Sequence, residues 1–404
     1  MRILFVTPYP VSRIRTRSYG FVTQLAQLHK IRVLALCAGE RDMADMRELQ
    51  NQGIEIIAIE EKPRQQYLRS LRTLSTELPL QVAFGASPAL QAEIRKQLAS
   101  GQFDLVHVEC IRALEALPDH LPVPVVWDAV DCVTNLYEMG ARFGATTMMR
   151  LIGSNETRRV RAYERQQLQR FRHILVISER DRQGLLKLSE SDVEKAGNAE
   201  ITVLAHGIDQ TYFHRQDSTR QPETLIFSGK MSFHANVAGV LHLVKHIMPL
   251  IWQRRPQVRL IIAGSAPPAA VRRLARDPRI TVTGYVPDLR PYIAQAQVSV
   301  SPLPYAVGIQ NKVLEAMAIG TPVVTSSCSL AGMQAIAGHD LLVADQPEAF
   351  ADAVLSLLED RSLWNRISEQ GWQYITNQHN WEEIIQRLSS IYADAVANAM
   401  IKQA

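Results

Sequence analysis

No two aspartates in this 404-residue chain are separated by a single residue, so the DxD arrangement that would hold a divalent cation against a diphosphate is missing. Cysteine is scarce. Cys37, Cys110, Cys132 and Cys328 lie far apart, with neither CxxC nor Cys/His spacing, which indicates neither a zinc site nor a disulfide framework. No apolar run approaches the roughly 20 residues needed to span a bilayer. The opening MRILFVTPYP has one basic residue and a short apolar run broken by Pro8 and Pro10. It reads as a first strand and its loop rather than a signal peptide, and a cytoplasmic protein is expected. Neither sign of charge is in large excess: a net charge of +4 attracts a polyanion only weakly, so no nucleic-acid partner is expected.

What is present is the composition of a folded protein, 47% hydrophobic and 21% charged. The length exceeds one comfortable core, and two domains of about 200 residues each are expected. The first half alternates β-branched apolar runs with helical patterns: Ile3–Val6, Val33–Leu36, Ile54–Ile59, Leu105–Val108, Pro124–Trp127, Ile174–Ile177 and Ile201–Leu204. Such alternation predicts a parallel, doubly wound sheet. After Asp209 the polar run RQDSTRQPE reads as a linker, and Thr224–Ser228, Arg259–Ala263, Ile280–Thr283, Val298–Ser301, Val323–Thr325 and Leu341–Val343 restart the pattern. Two basic, helix-compatible segments interrupt the first half, Arg64–Thr76 and Met148–Phe171, the second with Val160, Tyr163 and Leu168 among many arginines. The plain reading is a solvated helix packing one narrow apolar stripe on the domain. The sharper one is peripheral contact with anionic lipid headgroups at the inner face of a membrane.

Val298–Ser326 is the stretch that suggests chemistry. Two buried strands flank a Gly/Pro loop and a helix over Ile309–Ile319, which Gly320 and Pro322 end. A helix start at the carboxyl end of a strand is a candidate anion site. Lys312 near that start opposes the helix dipole, a placement that suits an anion from outside the helix. The plain alternative is a surface ion pair between Lys312 and Glu315, three residues apart.

PYP after the first strand, VISERD after the sixth, AHGID at Ala205–Asp209, FSGK at Phe227–Lys230, AGS at Ala263–Ser265, TGYVPDL at Thr283–Leu289 and GIQNKVLEAMAIGTPVV at Gly308–Val324 occur in this order. Together they resemble the retaining GT-B glycosyltransferases of the group 1, or family-4, type, over nearly the whole chain. The resemblance implies an α/β GT-B fold, two Rossmann-like doubly wound domains facing across a cleft. Residues 1–205, with the helix 381–404 crossing back, would form the acceptor side, 206–222 the hinge, and 223–380 the nucleotide-sugar domain. It further implies retention of configuration, front-face attack by a hydroxyl acceptor such as a polysaccharide or lipid-linked glycan, and no cofactor or metal.

By position, the resemblance assigns Glu315 to the donor ribose and Lys230, after Gly229, to the donor phosphates. Backbone groups of Gly308, Ile309 and Gln310 would face the sugar or phosphates, and those of Tyr285 and Val286 the base. Two departures stand out. The position eight before Glu315, where relatives carry a first glutamate, is Val307, and the position of a second basic residue is Ala235. Lys312 is expected to supply that charge. On the acceptor side the expected residues are Arg15 and Arg17, for a phosphate or acidic acceptor, His107 and Glu109 in LVHVEC, and Asp131 with Asp128 in WDAVDC. Two other readings stay open: an inactive nucleotide-binding scaffold in polysaccharide assembly, which Val307 and Ala235 would suit, and a GT-B-fold sugar-nucleotide epimerase.

Overall fold

The computed structural model describes residues 1–13, 15–73, 75–143, 147–190, 199–215, 220–306 and 308–403, without the side chains of 140–143, 147–152, 190, 402 and 403. Position Val307 and part of the linker therefore lie outside the described residues. The chain divides into two compact units, Met1–Gly207 with Trp381–Ala404, and Ile208–Asn380.

The first unit is built on seven strands: β1 (Arg2–Thr7), β2 (Lys30–Cys37), β3 (Glu55–Glu60), β4 (Leu105–Glu109), β5 (Val125–Val130), β6 (His173–Val176) and β7 (Glu200–Val203). Their order across the sheet is β3-β2-β1-β4-β5-β6-β7, and every pairing is parallel. Runs such as RILFVT are buried almost end to end because helices cover both faces. One of those helices is the last, Trp381–Gln403, which places Ile384, Ile385, Leu388 and Tyr392 against Phe5, Phe21 and Val33.

The second unit has six strands: β8 (Thr224–Ser228), β9 (Arg259–Ala263), β10 (Ile280–Gly284), β11 (Val298–Ser301), β12 (Val323–Thr325) and β13 (Leu342–Val343). They are again all parallel, in the order β10-β9-β8-β11-β12-β13. In each sheet the winding reverses once, between β1 and β4 and between β8 and β11. The carboxyl ends of the strands beside such a reversal are where open α/β sheets bind ligands.

Two segments bear on the sequence expectations. The helical stretch His234–Arg254 is long and apolar enough to cross a membrane by length and composition, with mean hydropathy 1.2. In the fold it connects β8 to β9 and buries Val240, Leu243, Ile247, Met248 and Ile251 in the core of the second unit. The polar run after Asp209 is tied down at its described ends. Arg215 pairs with Glu369, and Arg220 donates to the carbonyls of Ala294, Ala296 and Gly320 and to Thr321 Oγ1.

Candidate functional site

The reversal in the second sheet puts the β8 loop beside the β11 loop. The helix Asn311–Ile319 begins after the β11 loop, with Gln310 as its N-cap, and ends at Gly320 in the left-handed conformation, φ 78°. Its end is closed by Gly320 N–H donating to Met317 O and Thr321 N–H to Ala316 O, the paired bonds of a Schellman stop. The loop ends step across the sheet in contact: Gly229 N–H donates to Ala263 O at 3.0 Å and Gly264 N–H to Gly284 O at 3.2 Å. A side chain at Gly264 would put Cβ only 1.9 Å from Gly229 O, at φ 144°.

Lys312 is not the surface partner of Glu315. Its side chain is buried, and Nζ donates to Asn236 Oδ1 at 2.5 Å. No ion pair with Glu315 is formed among the described residues. Asn236 in turn donates from Nδ2 to the carbonyl of Lys230 at 2.9 Å. One amide therefore ties the buried lysine of the helix to the loop that carries the exposed lysine. Burial pulls the Lys312 ammonium down to about 8, against the opposing pull of Glu315. Burial likewise raises the half-buried Glu315 carboxyl to about 7, with Lys312 working against it. Glu315 makes no hydrogen bond, and Lys230 offers its ammonium to no partner, among the described residues. Lys230, Lys312 and Glu315 thus belong to adjoining segments of one unit, with Gly229, Gly308, Ile309 and Gln310 on the same two loops. Tyr285 and Val286 follow β10, two strands away, and the Tyr285 ring is exposed.

Three features of this region were missed in the sequence. Asn236 carried no signal beyond neighbouring the expected basic position, and Ala235 is buried. The His234 and Tyr305 rings stack across the two loops, with His234 Nδ1 2.7 Å from Tyr305 Oη. The Oγ atoms of Ser228 and Ser301, the last residues of β8 and β11, are buried with no hydrogen-bond partner among the described residues. Buried unpaired hydroxyls are rare enough to mark the reversal as a place built for more than packing.

In the first unit the reversal gathers a different set. Glu109, at the end of β4, accepts from Tyr9 Oη at 2.8 Å and Ser18 Oγ at 2.6 Å, while its Oε2 is buried without a partner among the described residues. Burial and then Asp128 raise the Glu109 carboxyl above its ordinary range. The exposed Arg15 lies with its guanidinium 3.7 Å from the centre of the Tyr9 ring. Asp131 is half-buried, and burial followed by Asp181 pushes its carboxyl up to about 7. Cys110 and Val130, beyond and at the ends of β4 and β5, hold φ 68° and 67°, a conformation costly for a β-branched residue.

Arg17 and His107 are not placed as expected. Arg17 points inward, donating from Nε and Nη2 to Asp128 at 2.8 Å each and from Nη1 to Leu204 O at 2.6 Å, so its guanidinium is not presented to a phosphate. Burial works to raise the Asp128 carboxyl, but Arg17 and His107 hold it down to about 2. His107 is fully buried, stacked on Phe5 with centroids 4.4 Å apart, and its Nδ1 lies 2.8 Å from Tyr392 Oη of the last helix. It serves as a core histidine, out of contact with solvent. A strand-end histidine looks the same in sequence whether it faces a ligand or a covering helix.

Residues 222–360 match the model of the family described as Glycosyl transferases group 1. Glycogen synthase of Mycobacterium tuberculosis is 28% identical over 211 residues, which are 49% of this chain and 50% of that protein. The chain thus spans about half the length of the curated relatives it matches. Among solved structures, HepE of Anabaena in complex with UDP is similar at a TM-score of 0.66 and 13% identity, covering 98% of this chain and all of that one. Sucrose-phosphate synthase of Thermosynechococcus elongatus is similar at 0.70 and 16%, with coverage of 98% and 100%. WaaG, a glycosyltransferase of lipopolysaccharide biosynthesis, gives 0.63 and 15%, with 96% and 99% covered. With the seven- and six-stranded sheets, these likenesses show the two-unit, Rossmann-like GT-B fold.

Proposed function

We propose that this protein is a glycosyltransferase that moves a sugar from a nucleotide-sugar donor to a hydroxyl acceptor with retention of configuration and without a metal. The observation that carries the reading is the hydrogen-bonded link from Lys312 through Asn236 to the Lys230 carbonyl at the reversal of the second sheet, with Glu315 on the same helix as Lys312. It lies within the stretch that matches the group 1 family model. A UDP-sugar is the first donor class to test, since HepE of Anabaena has been solved with UDP and with UDP-glucose.

In this reading the Glu315 carboxylate accepts from the two ribose hydroxyls. Lys230, from the solvent side, and Lys312, from beneath the loop, stabilise the diphosphate as charge develops on it. The acceptor oxygen bonds to the anomeric carbon as the bond to the diphosphate oxygen breaks, and the hydroxyl proton passes to the departing diphosphate on the same face. The products are the glycoside and a nucleoside diphosphate. Glu109 and Asp131, with Arg15 and Tyr9 nearby, are the groups offered to the acceptor, which we take to be a polysaccharide or lipid-linked glycan.

Donor turnover tests the proposal. The purified protein, incubated with a panel of nucleotide sugars and EDTA, is expected to release nucleoside diphosphate slowly and to transfer sugar when acceptor is added, the product keeping the donor's anomeric configuration. Nucleotide binding with no turnover across donors and acceptors would replace this reading by the inactive scaffold. Interconversion of sugar nucleotides without transfer would replace it by the epimerase.

A further inference from the structure

The two basic segments of the first unit fold in opposite ways. In the long helix Thr147–Arg170, Val160, Tyr163 and Leu168 are buried as an ordinary stripe. Four of its arginines have partners within the protein: Arg158 with Glu77 and Arg161 with Glu138 in exposed pairs, Arg159 with Glu156, and Arg170 with the Pro118 carbonyl. The helix Pro63–Arg72 is inside out. Its inward side is polar. Arg69 donates to both Glu61 oxygens at 2.5 and 2.7 Å and to the Phe84 carbonyl at 3.0 Å, and Ser70 Oγ donates to the Leu80 carbonyl at 3.0 Å. Gln66 is the helix's buried residue. Its outward side carries Tyr67, Leu68 and Leu71, at 62%, 52% and 60% exposure.

At helical spacing, Arg64, Tyr67, Leu68, Leu71 and Arg72 share that outer face, since neighbours three and four apart lie side by side. Lys62 precedes it and is also exposed. The only carboxylate from residue 61 to residue 76 is Glu61, and it is held by Arg69. The face therefore combines three large apolar side chains with three unpaired cations. Folding accounts for part of the Tyr67 ring, which meets Phe84 edge-on with centroids 5.4 Å apart, but Leu68 and Leu71 are turned outward and the exposed cations have no internal partner among the described residues.

We infer that the outer face of the helix Pro63–Arg72 is a docking surface for an anionic lipid bilayer, with Tyr67, Leu68 and Leu71 entering the headgroup region and Lys62, Arg64 and Arg72 meeting lipid phosphates. Charge complementarity selects this occupant. A second copy of the chain would bring the same three cations against themselves, while an anionic leaflet attracts all three and has an apolar layer just below its headgroups. The inference is independent of the sugar-transfer reading, since none of these residues belongs to the site proposed for it.

The test is sedimentation of the full chain with extruded vesicles. Binding is expected to vesicles of equal phosphatidylglycerol and phosphatidylcholine, and not to phosphatidylcholine alone. L68Q/L71Q should weaken binding by about tenfold through lost insertion. R64Q/R72Q should weaken it by roughly fivefold per arginine and remove most of the salt dependence. Unchanged melting temperatures would show that the variants fold. Failure of the wild type to bind anionic vesicles, or variants that bind like the wild type, would overturn the inference. So would a concentration-dependent dimer that L68Q/L71Q dissolves, which would assign the face to self-association.

Discussion

Asn236 offers the sharpest test of the site, because substitutions there should move the Lys312 ammonium in either direction. Its Oδ1 accepts from Nζ at 2.5 Å, and a hydrogen bond to a charged group is worth about 1.5–3 kcal/mol, or about one to two pH units. Burial holds the Lys312 ammonium at about 8, so Lys312 is mostly charged at neutral pH and loses its charge as pH rises through that value. If the charge is needed for the diphosphate, kcat/KM for the donor should fall above about pH 8, since that profile reports the free enzyme. In N236A the ammonium loses its acceptor, and the basic limb should move down by about one pH unit or more. In N236D a carboxylate stands beside it, and the limb should move up by about 1–3 pH units. N236D also loses the donor to the Lys230 carbonyl, so a fall in stability of about 1–3 kcal/mol is expected and is read separately by melting. Limbs that move together, or not at all, would refute the assignment of the basic limb to Lys312.

Other outcomes follow from the same structure. E315Q should weaken nucleotide binding by about 10- to 100-fold, read by titration calorimetry, because one acceptor oxygen becomes a donor and the charge is lost. In the wild type, burial raises the Glu315 carboxyl to about 7, so affinity should fall as pH drops through neutrality. G264A sets a methyl against the Gly229 carbonyl at an unfavourable φ and should cost about 3 kcal/mol or more in urea unfolding. D128N leaves Arg17 buried without its charge partner and should cost about 3–5 kcal/mol. In the wild type the Asp128 carboxyl is held down from 3.8 to about 2. Its charged form therefore adds about 2 kcal/mol above pH 4 that is lost as pH falls toward 2. Acid unfolding monitored by circular dichroism should lose that component in D128N.

Much of the architecture was legible because a strand buried on both faces must be apolar along its length. β1, β8 and β11 show this within a residue or two of their ends, and strand-helix alternation leaves parallel pairing as the connection. Gly320 and Pro322 stop the site helix by backbone chemistry that is local, and so readable. The burial of Lys312 was not readable for the opposite reason: whether a lysine near a helix start faces water or the underside of a glycine loop depends on what the neighbouring strand brings over it. His107 and Arg17 repeat the lesson, since the last helix covers the one and Asp128, more than a hundred residues away, draws in the other.

By itself the sequence determined two parallel α/β units, the order of their strands along the chain, and the motifs at the strand ends, all of which follow from periodicity and backbone limits. Tertiary structure decided the order of strands across each sheet, and with it which loops share a reversal. It decided that Asn236 joins the two lysines of the candidate site and that the helix Pro63–Arg72 turns its apolar side outward. Periodicity shows that a helix has an apolar face. Only the packing of the rest of the chain settles which way that face looks.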